Sequence, residues 1–134
     1  MIYAAVEESP DHEAARSWLD DRLSGSPRVA LPWPSLLAFV RITASPGLLE
    51  RPVAPRDAWR RVTSWLAQPS AWVPLPTARH GVVLGGLLER EQSGRTAPDA
   101  HLAALAMEHG LRLCSADSDF GRFRGLDWEN PLAG

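Results

Sequence analysis

Twelve prolines fall mostly between the apolar runs of this chain. Because proline lacks an N–H and fixes φ, each one marks the boundary of an element rather than its interior. Ser9-Pro10-Asp11 reads as a helix start, with serine able to cap and proline in the first helical position. Ala14, Ala15, Trp18, Leu19 and Leu23 follow at helical spacing, to about Ser24. Val29-Ala30-Leu31 is a short buried strand. Pro34 opens a second helix through Leu36, Leu37, Val40 and Arg41, and a third runs from about Pro55 to Leu66. Ala71 to Leu75 reads as another strand. Thr77 caps a helix through Val83, Leu84, Leu87 and Leu88, in which Gly81 and Gly85 allow a neighbouring helix to approach. Thr96 to His109 is the cleanest helix, with Leu102, Leu105 and Ala106 on one apolar stripe and Gly110 as its stop. A strand at Leu111–Cys114, a polar turn at Ser115–Asp119, a short helix at Phe120–Phe123 and a last strand at Leu126–Trp128 complete the chain. This alternation predicts an α/β sandwich around a mostly parallel sheet, with functional groups in loops beyond the carboxyl ends of the strands.

Composition narrows the class. At 134 residues the chain is one domain's worth, and 45% hydrophobic with 22% charged residues is ordinary globular usage, which excludes a disordered chain or a fibre. Cys114 is the single cysteine, so neither an internal disulfide nor a thiolate zinc site can form, and a reducing cytoplasm fits best. No apolar run is long enough to span a membrane, and the N-terminus turns acidic too soon for a signal peptide. The net charge of -2 gives no global positive field, so any nucleic acid must be gripped locally. All the basic residues are arginine, which favours bidentate phosphate or carboxylate contacts, although a GC-rich genome explains the same bias.

Three aspartates are placed where chemistry could occur. Asp99 lies in the first turn of a helix, and Asp117 and Asp119 lie in the turn after a buried strand, and these two kinds of position converge at one edge of such a sheet. Clustered carboxylates raise one another's pKa, and a divalent cation is the usual way to hold them ionised together. Oxygen-only ligands suit Mg2+ or Mn2+, and the chemistry implied is phosphodiester hydrolysis. Taken one at a time, each aspartate reads more simply as a cap or a partner of the helix dipole. His101 does not share a helix face with Asp99, His12, His80 and His109 have no zinc spacing, and no serine or cysteine nucleophile has a histidine partner. Cys114, on a buried strand, reads as inert.

Pro98-Asp99-Ala100-His101-Leu102-Ala103-Ala104-Leu105-Ala106, followed after Gly110 by a strand and Ser115-Ala116-Asp117-Ser118-Asp119-Phe120, resembles the PIN-domain toxins of VapBC toxin-antitoxin systems. Leu31-Pro32-Trp33 leading into Leu36-Leu37-Ala38-Phe39-Val40-Arg41, the Phe123-Arg124-Gly125-Leu126 stretch, and Trp128 with Asn130-Pro131-Leu132 extend the likeness over nearly the whole chain. The resemblance implies a single PIN-like domain over 1–134, a three-layer α/β/α sandwich. It also implies a Mg2+- or Mn2+-dependent endoribonuclease of the cytoplasm, neutralised by a VapB-type antitoxin and forming a homodimer. Asp99, Asp117 and Asp119 would then be its catalytic metal ligands. Arg95 and Arg41 are candidate RNA contacts, each with a plainer reading as an exposed or ion-paired side chain.

Two departures from the family pattern matter. Met1-Ile2-Tyr3-Ala4 matches only the tail of the family's first strand, so the first central strand and its aspartate are expected to be missing, and the simplest reading is a native start upstream of Met1. The helix after Leu31 carries Ala38 where many relatives carry a glutamate. A catalytically impaired antitoxin-binding protein of the same fold is therefore the rival reading, and a metal phosphohydrolase acting on small esters is a third.

Overall fold

The computed structural model describes residues 2–3, 11–25, 28–44, 53–115 and 117–131. The predicted Ser9-Pro10 helix start lies outside these residues, as does Leu132. Within them, short strands alternate with helices: β1 (Ile2–Tyr3), α1 (Asp11–Leu23), β2 (Val29–Ala30), α2 (Trp33–Ala44), α3 (Pro55–Leu66), β3 (Ala71–Trp72), α4 (His80–Leu88), α5 (Ala97–Glu108), β4 (Leu113–Cys114) and β5 (Trp128–Glu129). Single 3-10 turns, Gly94–Thr96 and Ser118–Arg122, precede α5 and follow β4.

All described strand pairs are parallel, in the order β3-β2-β1-β4-β5. The chain builds outward from β1 to β3, then crosses back to lay β4 and β5 on the other side. The order therefore reverses between β1 and β4, and beyond their carboxyl ends lies the crevice where such sheets bind ligands. The slot expected to be empty is filled. Ile2 pairs with Ala30 on one side, and Ile2 and Tyr3 pair with Leu113 and Cys114 on the other. Without them β2 and β4 would each present a buried row of unpaired N–H and C=O groups, so two β-prone residues are enough to claim the central position. Neither residue carries a carboxylate, so the departure at the family aspartate stands for β1 itself.

Side chains alternate across the sheet and divide the core in two. Val29, Leu31 and Ala71 join the cluster under α1, α2 and α3, built on Leu19, Leu36, Phe39, Val62 and Trp65. Ala30, Leu113 and Trp72 face the opposite layer, with Leu102, Leu105 and Phe120. The result is three layers. α5 was expected to bury one stripe, yet Leu102 to Ala106 are all buried. Alanine at three of these five positions lets α5 pack closely on both Ala30 and Leu113 of the sheet and the leucines of α4. The helix ends in a Schellman motif: Leu111 N–H donates to Ala106 O and Gly110 N–H to Met107 O, with Gly110 at φ +64.

Two further expectations are corrected. The face of α4 carrying Gly81 and Gly85 meets nothing within 4 Å of where a Cβ would stand, so no neighbouring helix among the described residues approaches there. α4 packs on α5 through its leucines instead. Thr77 does not cap α4 directly. Its hydroxyl accepts from Arg79 N–H at 3.1 Å, two residues too early, while donating to Glu108, the stronger acceptor. No helix among the described residues is long and apolar enough to cross a membrane.

Candidate metal centre

Pro98 sits in the first turn of α5 and Asp99 follows it, which puts that carboxylate at the positive end of the helix dipole. Asp117 and Asp119 come from the loop that leaves the carboxyl end of β4. Asp117 N–H donates to Ser115 Oγ at 3.1 Å, and Asp119 N–H donates to Asp117 Oδ1 at 2.9 Å, so Asp117 caps the 3-10 turn. The capping reading of Asp117 is thus correct, and it leaves the second carboxylate oxygen for other use. Trp128 on β5 braces the loop by donating from Nε1 to Ser115 O at 3.0 Å. A Cβ on Gly121 would stand 3.2 Å from the Trp128 ring, so glycine is what lets the turn lie against it.

The three sequence-predicted aspartates come together. One carboxylate oxygen from each lies within 4.8 Å of those of the other two. Asp99 and Asp117 are half-buried and Asp119 is exposed. Burial, and then the charges of Asp117 and Asp119, raise the Asp99 carboxyl above its ordinary range, and the Arg122 guanidinium opposes them. A hard divalent cation fits this donor set. It takes oxygen ligands, and its charge relieves the repulsion that the folded chain otherwise maintains.

Arg41, in the last turn of α2, and Arg95, in the 3-10 turn before α5, are both exposed, and neither is among the groups acting on Asp99. The cation that reaches Asp99 is Arg122, three residues past Asp119 and one 3-10 turn along. Sequence reading passed over it, although that spacing was visible.

A second polar group, also missed, lies on the other half of the helix. Glu108, at the end of α5, is fully enclosed. Its Oε1 accepts from Thr77 N–H at 2.8 Å and Thr77 Oγ1 at 2.6 Å, and its Oε2 meets His80 Nδ1. His80 Nε2 lies 3.0 Å from His101 Nδ1. Burial alone would raise the Glu108 pKa, but the Thr77 and His80 hydrogen bonds outweigh it and hold the carboxyl below its usual range. His101 is therefore a partly buried structural histidine, and burial followed by the His80 charge lowers its pKa. Burial, then Glu129, pushes the Cys114 thiol up to about 12, which fits an inert cysteine.

The PIN domain family model matches residues 1–126. Ribonuclease VapC37 of Mycobacterium tuberculosis is 45% identical over 134 residues, covering 99% of this chain and 93% of its own. Ribonuclease VapC33 of the same species is 34% identical, covering 98% and 93%. The crystal structure of VapBC2 from Rickettsia felis bound to a DNA fragment from its promoter superposes with a TM-score of 0.63 at 17% identity, covering 97% of this chain and 98% of that one. That superposition supports the fold, and the family match and full-length relatives decide the rest: the chain belongs to the PIN-domain family of VapC ribonucleases.

Proposed function

We propose that this chain is the toxin of a type II toxin-antitoxin pair, a cytoplasmic endoribonuclease forming one domain over residues 1–134. It hydrolyses RNA phosphodiester bonds at the cluster of Asp99, Asp117 and Asp119. The single observation that carries the site is the convergence of three carboxylates within 4.8 Å at the switch point of the sheet, where burial and then the charges of Asp117 and Asp119 raise the Asp99 carboxyl. These residues would hold Mg2+ or Mn2+, which supplies Lewis-acid polarisation of the phosphoryl group. Asp99 is fixed by the first turn of α5, and Asp117 by its own cap on the turn, so the protein contributes a preorganised anionic pocket that needs little rearrangement when a cation arrives.

A VapB-type antitoxin and a second copy of the chain are the expected partners. An apolar surface on α2 and α3 supports a protein partner: Trp33 and Trp59 stack at 6.2 Å, 41% and 43% exposed, and Leu37, one turn from Trp33, is 58% exposed.

The test is cleavage of a mixed cellular RNA pool with Mg2+ or Mn2+, run beside EDTA and beside Asp99→Asn. Both controls should abolish cleavage, the substitution by at least about a hundredfold, the scale on which losing one preorganised electrostatic group acts. Cleavage that survives EDTA would refute the metal site. A folded chain that binds antitoxin and cuts no RNA would make it the binding protein instead.

A further inference from the structure

Between α4 and the turn that follows β4, lined by Arg122 from the same 3-10 turn that carries Asp119, runs a cleft of about 430 Å3. That is within the range of small-ligand sites, roughly 300–1,000 Å3. Val82, Leu87 and Met107 give it apolar walls, and Arg90, Arg122 and Arg124 line it with charge. Glu89 and Glu91 line it too, leaving it net positive by one charge in a chain that is net negative.

Arg122 joins this cleft to the metal centre. Its Nε lies 3.5 Å from Glu91 Oε1, and the Glu91 side chain is only 12% exposed while that of Arg122 is 45% exposed. Glu91 therefore acts as a fixed anchor on the inner edge of the guanidinium. The Arg122 side chain is otherwise half-exposed, and its charge acts on Asp99, so it offers a cation to a phosphodiester approaching the acids. A guanidinium held at Nε still offers a planar pair of donors that matches phosphate oxygens. Arg90 and Arg124 extend the same charge along the cleft, and its apolar wall suits the face of a ribose or base.

We propose that this cleft binds the RNA strand adjoining the scissile phosphate. Arg122, oriented by Glu91, contacts the phosphate nearest the carboxylates, and Arg90 and Arg124 contact its neighbour. The inference rests on the ribonuclease reading and specifies where that substrate lies.

The experiment measures fluorescence anisotropy of a short single-stranded RNA with Ca2+ in place of the catalytic ion, over a range of salt, with strand integrity checked on a gel. Arg122→Ala and Arg124→Ala should each weaken binding roughly tenfold, the change expected when one charge-assisted contact is lost. Each should also flatten the slope of log K against log salt by about 0.7, the value for one phosphate on a single strand. Arg122→Lys should restore the slope and only part of the affinity. Arg56→Ala, on exposed α3, should change neither, and thermal melting of each variant checks folding. Arginine variants that match the parent in affinity and slope, while the parent binds and cleaves RNA, overturn the cleft alone. A parent that binds no RNA overturns the cleft and the ribonuclease reading together.

Discussion

At the last turn of α5, Glu108 is enclosed by groups that donate to it, whereas at the first turn Asp99 faces Asp117 and Asp119 across less than 5 Å. The same helix thus holds one carboxylate below its usual pKa and another above it. The difference lies in partners. Burial raises both carboxyls. At Glu108 the hydrogen bonds from Thr77 and His80 outweigh it, whereas at Asp99 the charges of Asp117 and Asp119 add to it and the Arg122 guanidinium opposes them. One end of α5 is built to hold α4 against the core. The other carries a repulsion that a bound cation would turn into affinity.

The comparison can be broken most forcefully at the satisfied end. Glu108→Ala removes the acceptor for Thr77 and His80 and leaves both half-buried donors without it. We expect a loss of about 3 kcal/mol in urea unfolding, the scale for removing one partner of an enclosed charged hydrogen-bond network. A loss below about 1 kcal/mol would mean that Glu108 only fills space.

A smaller effect of opposite sign is expected at the other end. Because the folded chain raises the Asp99 pKa, it binds a proton more tightly than the unfolded chain does, so stability falls as pH rises from the ordinary carboxylate range through the raised value. In metal-free buffer Asp99→Asn should therefore raise the melting temperature at neutral pH, and the gain should vanish once the pH is low enough to protonate Asp99 in both states. Glu108 behaves inversely. Its contribution is present above the ordinary carboxylate range and is lost as pH falls through its depressed value, so Glu108→Gln should flatten the acid side of the stability profile. Parallel pH profiles for the two variants would erase the distinction drawn between the ends.

Much of the frame was legible before any coordinates. α3 runs over Pro55–Leu66 as predicted, because proline at its first turn and the apolar spacing that follows are local signals. The same holds for the Gly110 stop and for the meeting of Asp99 with Asp117 and Asp119, since a helix start and a strand end are brought to one sheet edge by topology alone. What escaped has a common cause. Thr77, His80 and His101 reach their partners across 21 to 31 residues, and no periodicity encodes such contacts. β1 is two residues long, too short for any alternation, and only the open edges of β2 and β4 select it. The glycines of α4 carry no sign of whether a neighbour stands beside them.

The central claim is that Asp99, which burial and the charges of Asp117 and Asp119 make costly to ionise, forms a cation site with those two carboxylates. Thermal unfolding of the parent chain and of Asp99→Asn, each titrated with Mn2+ at neutral pH, tests it most directly, since binding to the folded state alone raises the melting temperature. The account predicts a parent that starts lower and climbs with Mn2+, and an Asp99→Asn chain that starts higher and barely moves. Equal Mn2+ stabilisation of both would contradict it.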